Sequence, residues 1–354
     1  MKVLMVGVDE KTKGGMWSVA RGYLQSSVYL ESVKLNYIPL ATVGSSLKKG
    51  MFFAMGVAKI FTLLLTKKCD VAHIHMSERG SVYRKLMVAS LARAFRCKVV
   101  LHLHGAEFEP WYQALPEKRK KFVKRGLNKA DRILILGEYW RSFISSLIEQ
   151  QEKIKVLYNA VPVPEENRYR LNAGNLLFLG EVGERKGIYD LLDALSMIDE
   201  QLDDSCQLHI YGPNPDGDID KRIAEKKLQH RVRYMGWADK AQFEQMFAEV
   251  AVNVLPSYHE GLPMTILETM AYGIPNITTE IAAIPEAVNE ENGILIRPGD
   301  KTSLANAILC LMNDQGVRKA RSEKAYETVK TVFSTDQHMR EVIALYENIT
   351  EREK

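Results

Sequence analysis

Short apolar runs alternate with longer helical segments along almost the whole chain, and that alternation is what most limits its fold. The runs 3–7, 71–75, 98–104, 132–136 and 155–158 read as strands, with helices expected at 17–31, 52–66, 83–95, 116–127 and 140–149. Strands joined through helices pair in parallel, because a parallel neighbour is reached only by a crossover. Val161-Pro-Val-Pro-Glu-Glu-Asn167 is Pro-rich and polar and marks an interdomain segment. A second series follows at 176–180, 206–211, 232–235, 250–255, 276–279 and 293–300, with helices from 302 onward. The expected fold is α/β, with doubly wound parallel domains at 1–163 and 164–334.

Composition excludes several classes of protein. A chain of 354 residues that is 46% apolar and 26% charged has room for two ordinary cores. A formal charge of +4 is too mild for a nucleic-acid partner. Cys69, Cys97, Cys206 and Cys310 are scattered without a CxxC pair, which speaks against a disulfide scaffold or zinc site and fits a reducing compartment. The chain opens directly into strand 3–7, so no signal peptide is expected. The longest apolar run, 51–66, is interrupted by Lys59 and falls short of the roughly 20 residues of a membrane span.

In such sheets ligands sit beyond the carboxyl ends of the strands. The loops there carry the candidates. Lys13-Gly14-Gly15-Met16 follows the first strand, and glycine lets backbone approach a ligand closely. GxGxxG is absent, which counts against a dinucleotide oxidoreductase. In Val99-Val-Leu-His-Leu-His104 alternation puts His102 and His104 on one face, with only His104 at the strand end. Asp216, Asp218 and Asp220 fail the calcium-loop pattern, since Lys227 stands where its bidentate Glu belongs. They read as a solvated turn, and no metal site is assigned.

The densest stretch is Ser257-Tyr-His-Glu-Gly-Leu-Pro-Met-Thr-Ile-Leu-Glu268, continuing through Met270-Ala-Tyr-Gly-Ile-Pro275. Strand 250–255 ends at Pro256, and Pro263 sits where a helix begins. The helix start offers unpaired N–H groups to a phosphate. On a wheel Thr265, Glu268, Thr269 and Tyr272 share one side and apolar residues the other. Glu268 is then either a solvated surface glutamate or a carboxylate at a cleft edge that accepts sugar hydroxyls.

Two glutamates framing Gly-Leu-Pro at a helix start, eight positions apart, closely resemble the signature of family-4 retaining glycosyltransferases of the GT-B fold. The resemblance spans nearly the whole chain and is densest from Gly180 to Gly299. It implies two Rossmann-like domains facing across a cleft, acceptor-side and donor-side, with a final helix, 335–354, packing back on the first. It implies a hexosyl-type transfer from a nucleotide-sugar to an acceptor hydroxyl with retention and no metal or other cofactor. The acceptor would be a glycan, a lipid-linked or a small molecule, in polysaccharide or surface-glycan assembly. Glu268 would hold the ribose, beside Leu262, Met264 and Thr265. Lys186, Arg185, Gly14, Gly15 and the helix start near Gly261 would hold the diphosphate. Glu260 and His104 would bracket the transferred sugar, with Gly212 and Trp237 near the nucleotide.

Two departures stand out. The pattern carries arginine directly after the first glycine of Leu179-Gly-Glu-Val-Gly-Glu-Arg-Lys186, where this chain has Glu181. It also carries a glycine pair where this chain has Ala282-Ala283. A nucleotide-sugar-binding subunit that has lost turnover is the competing reading, and an epimerase or phosphorylase on the same fold a third. Basic segment 118–125 and the lysines flanking 51–66 suggest contact with an anionic membrane. The expected setting is cytoplasmic, at the inner membrane surface.

Overall fold

The computed structural model describes residues 1–12, 14–238 and 242–351. They form two compact units, 1–160 with 335 onward, and 161–334.

Unit 1 is built on β1 (Lys2–Gly7), β2 (Lys34–Pro39), β3 (Val71–Met76), β4 (Lys98–Leu103), β5 (Arg132–Ile135) and β6 (Ile154–Val156). They pair in parallel in the order β2-β1-β3-β4-β5-β6. Its helices are α1 (Gly15–Gln25), α2 (Ser27–Ser32), α3 (Ser46–Leu65), α4 (Gly80–Ala94), α5 (Phe108–Gln113), α6 (Glu117–Asn128) and α7 (Arg141–Leu147). The expected helix 17–31 is two. Ser26 caps the second by accepting the Tyr29 N–H at 3.2 Å, and its extended backbone breaks the run. Strand β2 was not expected. It is an edge strand with one buried residue, Ile38, so its apolar signal is weak.

Unit 2 holds β7 (Asn175–Leu179), β8 (Leu208–Tyr211), β9 (Val232–Gly236), β10 (Val250–Leu255), β11 (Asn276–Thr279) and β12 (Gly293–Ile296). These pair in parallel as β12-β11-β10-β7-β8-β9. Around them lie α8 (Ile188–Ile198), α9 (Ile219–Glu225), α10 (Phe243–Phe247), α11 (Met264–Ala271), α12 (Ile284–Ala287), α13 (Lys301–Asn313) and α14 (Gln315–Val332). β10 is buried along its whole length, as a strand covered by helices on both faces must be. The chain enters this unit at Val161, whose N–H donates to Phe333 O at 2.9 Å next to the exit at Ser334. The last helix, α15 (Thr335–Glu351), packs on α2 and buries His338, Met339, Val342 and Tyr346 in unit 1.

Candidate active site

In unit 2 the strand order reverses between β7 and β10. Chain segments leaving those two carboxyl ends diverge to opposite faces and leave a crevice where α/β sheets bind ligands. The β7 loop runs through a 3₁₀ turn, Glu184–Lys186, and the β10 loop through Ser257–Pro263. Two glycines let these loops close up. A Cβ on Gly187 (φ 70°) would stand 2.0 Å from Pro256 O, and one on Gly212 (φ 140°) 1.9 Å from Gly180 O. No other residue fits either place. For Gly212, backbone crowding alone accounts for the glycine.

Lys186 and Glu260 meet in this crevice. Lys186 Nζ donates to Glu260 Oε1 at 2.5 Å, and Ser257 Oγ donates to the same oxygen at 2.8 Å. Their side chains are 14% and 7% exposed, so the pair is nearly desolvated and each charge depends on the other. Arg185 sits on the rim, its Nη1 donating to His259 O at 3.3 Å. Its Nη2 lies 3.9 Å from Glu181, both residues being about half exposed. The residue that departs from the resembled pattern is thus charge-paired with Arg185 across one loop, in water, where such a pair is worth little.

Helix α11 starts one residue after Pro263 and is not the amphipathic surface helix of the wheel. Met264 and Ile266–Ala271 are all buried, and Glu268 is 8% exposed. The reason is tertiary: α11 packs against β10, β11 and α14. The reading of Glu268 as a solvated surface glutamate therefore falls. Thr269 Oγ1 bonds Asn276 Oδ1 at 3.1 Å and so pins the helix to β11. Gly261 and Thr265 are half-buried and Leu262 is buried at the loop's turn into the helix. Trp237 follows β9 and is 49% exposed, which rules out an ordinary buried tryptophan. Asp218 is engaged by Tyr189 at 3.0 Å and Arg222 at 3.0 Å at the start of α9.

In unit 1, Gly14 (φ 116°) and Gly15 are exposed at the start of α1, with no atom within 4 Å of a Cβ on Gly14. Lys13 lies outside the described residues. His104 follows β4 as expected, and its Nε2 meets His75 Nδ1 at 2.8 Å. Register explains the rest of the cluster: His75 stands opposite His102, and His73 one pleat behind. His73 Nε2 lies 3.2 Å from His102 Nδ1, and its Nδ1 meets the Tyr346 hydroxyl. His338 meets Tyr23 Oη at 2.6 Å and Tyr158 O at 2.8 Å. Burial, before the neighbouring imidazoles, pushes these histidines down, His104 to about 3. One ring nitrogen each of His73, His75 and His102 lies within 4.8 Å of the others, near enough for a metal to draw together. His73 and His102 hydrogen-bond to each other and His75 to His104, while His75 Nε2 and His102 Nε2 are buried without a hydrogen-bond partner.

Sequence reasoning missed Lys85, 2% exposed, whose Nζ donates to Gly7 O at 2.9 Å at the carboxyl end of β1. Burial pulls its pKa down to about 7. Only its helix register, among apolar neighbours, hinted at this.

Residues 173–314 match the family model described as glycosyl transferases group 1. An uncharacterized 41.2 kDa protein in the cps region of Klebsiella pneumoniae is 25% identical over 305 residues, 82% of either chain. The putative teichuronic acid biosynthesis glycosyltransferase TuaC of Bacillus subtilis is 24% identical over 290 residues, 79% of this chain and 70% of its own. Among solved structures, Anabaena HepE in complex with UDP superposes with a TM-score of 0.77 at 16% identity, covering 98% of this chain and 100% of that one. The same protein is also solved with UDP-glucose. With both sheets of this topology and the loops gathered at the second sheet's switch point, the chain is a glycosyltransferase of the GT-B fold.

Proposed function

We propose that this enzyme moves a sugar from a nucleotide-sugar donor to an acceptor hydroxyl with retention at the anomeric carbon, without a metal ion, in the assembly of a polysaccharide or surface glycan. The observation that carries the reading is the Lys186–Glu260 pair at the β7/β10 switch point. A lysine held there in a nearly dry site suits the diphosphate that leaves as the C1–O bond breaks. Glu260 keeps the cation in place before the donor arrives, and the diphosphate then gives Lys186 a second anion. Arg185, the Gly14–Gly15 amides and the α11 start complete the diphosphate set, Glu268 takes the ribose hydroxyls, and Glu260 with His104 orients the sugar. The acceptor oxygen bonds C1, and its proton leaves to the departing phosphate oxygen.

HepE's complexes with UDP and UDP-glucose support a nucleotide-sugar donor, and the teichuronic acid enzyme supports a glycan product. Contact with an anionic membrane belongs to the same reading. Among the described residues no helix is long and apolar enough to cross one.

Calorimetry against UDP, GDP, ADP and their sugar conjugates, with and without EDTA, tests this. One nucleoside diphosphate should bind, unchanged by EDTA. Binding lost with EDTA would overturn the metal-free reading, and no binding at all would return the chain to the partner-subunit reading. Glu268→Ala should weaken that nucleotide by about 1–3 kcal/mol, roughly fivefold to 150-fold in Kd, if desolvated ribose hydrogen bonds are lost. An unchanged Kd takes Glu268 off the ribose. Glu181→Arg replaces the anion beside Arg185 with a cation and should lower the donor KM by about threefold, the scale of one exposed charge pair. A raised KM in steady-state assays would place position 181 away from the diphosphate.

A further inference from the structure

Cys69 and Cys97, scattered in the sequence, are brought together at one edge of unit 1. The helices that precede them end alike. After α3 the Lys67 backbone turns left-handed (φ 50°), and Lys68 N–H donates to Leu63 O at 3.1 Å. After α4 Arg96 makes the same turn (φ 61°), and Cys97 N–H donates to Ala92 O at 3.1 Å. Each turn delivers a cysteine just ahead of a strand, Cys69 before β3 and Cys97 before β4.

Those strands are parallel neighbours with Val71 opposite Lys98, and Lys98 N–H donates to Asp70 O at 2.9 Å. Carried one step back, the register sets Asp70 beside Cys97, with Cys69 one residue further. Strands about 4.8 Å apart with a rise of about 3.3 Å per residue put the two Cα atoms about 6 Å apart, inside the range a disulfide spans. The side chains agree with the backbone. Cys97 Sγ donates to Cys69 O at 3.2 Å, and the two thiols hydrogen-bond to each other. That bond, then burial, pushes the Cys69 thiol up, and the same bond pulls the Cys97 thiol down. One sulfur thus gains thiolate character with its resolving partner already beside it. Cys97 is 5% exposed and Cys69 half-buried, so the site admits a small oxidant and not a bulky one. Cys206 and Cys310 both lie in unit 2.

We propose that Cys69 and Cys97 are a redox-modification site, closed to a reversible disulfide by a hydroperoxide, that locks the amino ends of β3 and β4 together. The Cys97 thiolate attacks one peroxide oxygen and the O–O bond breaks. Cys97 becomes a sulfenic acid, and the other oxygen leaves as hydroxide and takes up the proton Cys97 gave off, as water. The Cys69 sulfur then bonds the Cys97 sulfur, and the sulfenic oxygen departs with the Cys69 proton as a second water. Two thiols are oxidised to one disulfide, and one peroxide is reduced to two waters. A dithiol reverses the change, so in a reducing compartment the pair rests open. The bond lies at the opposite sheet edge from His104, and its test needs no sugar donor, so it and the transfer reading fail separately.

The test starts from the full chain, reduced, freed of reductant and treated with hydrogen peroxide. Peptide mapping by mass spectrometry without reduction should find Cys69 linked to Cys97, and the thiols titrated in denaturant should fall from four to two. The bond closes a loop between positions 28 apart, so the melting midpoint of unit 1 should rise. The expected rise is roughly 5–10 °C, the scale of such a loop in a unit of this size, and dithiothreitol should undo it. Cys69→Ser should abolish the link and leave Cys97 as a sulfenic acid that dimedone traps, whereas Cys310→Ser should change nothing. Should Cys69→Ser fold poorly, the map of the parent chain decides alone. Four thiols persisting, a link through Cys206 or Cys310, or a disulfide dimer that Cys310→Ser removes would overturn the proposal. So would a midpoint that falls on oxidation, since the bond would then form only in locally unfolded chain.

Discussion

Lys186→Ala should lower kcat by about 10²–10³ with the donor that binding selects, leaving the donor KM within a few-fold. The charge Lys186 neutralises develops mainly as the C1–O bond breaks, so its loss falls on the transition state more than on the bound ground state. The substitution also has a structural cost. Glu260, 7% exposed, loses its cation and keeps only the Ser257 hydroxyl, and an uncompensated buried carboxylate costs about 3 kcal/mol. The two effects separate by temperature and by partner. Activity is assayed well below the variant's melting point, and Glu260→Gln, which relieves the orphaned charge when combined with Lys186→Ala, should restore stability without restoring turnover. A kcat within threefold of the parent would take Lys186 off the diphosphate. Restored turnover in the double variant would mean that the single variant had merely unfolded locally.

The strands of the two sheets were legible because a strand buried on both faces must read as a continuous apolar run, as Val250–Leu255 does. What escaped was what tertiary neighbours decide. β2 lies at an edge and needs little apolar surface, so its pattern hardly differs from a loop. Glu268 looked solvated on the wheel because a wheel cannot show that α11 packs against β10, β11 and α14 at once. The Glu181–Arg185 pairing follows from a 3₁₀ turn that spacing alone does not reveal. At Ala282 the departure from the resembled glycine pair has a visible consequence: the residue sits at φ 49°, a left-handed conformation that costs an alanine roughly 1–2 kcal/mol and a glycine nothing. Residue types after strands pointed to the loops that follow β7 and β10, whereas the Lys186–Glu260 contact between those loops was not readable.

Acidification from pH 7 to 5.5 should remove most of the stability of unit 1. His73, His75, His102, His104 and His338 are packed as neutral imidazoles beneath Tyr23 of α1, Tyr29 of α2 and Tyr346 of α15, with Lys85 of α4 the nearby cation acting on His75. Burial is the first cause of every shift, and it holds His104 at about 3 and His338 at about 4. In the unfolded chain these groups titrate near 6.5. Between that value and the folded ones the unfolded state binds more protons, so stability is complete above about pH 7 and falls as pH drops. One pH unit below 6.5 each group costs about 1.4 kcal/mol, roughly 7 kcal/mol for the five, against a net domain stability of about 5–15 kcal/mol. At about 2–4 °C per kcal/mol for a unit of this size, the melting midpoint should fall by roughly 15–25 °C, read by circular dichroism between pH 7.5 and 5.5. His102→Gln, which stays uncharged, should flatten the slope by about one proton even though its packing is poorer. A midpoint that moves less than about 5 °C over this range would mean that the imidazoles already carry protons in the folded state, and the close β3–β4 packing of these side chains would have to be given up.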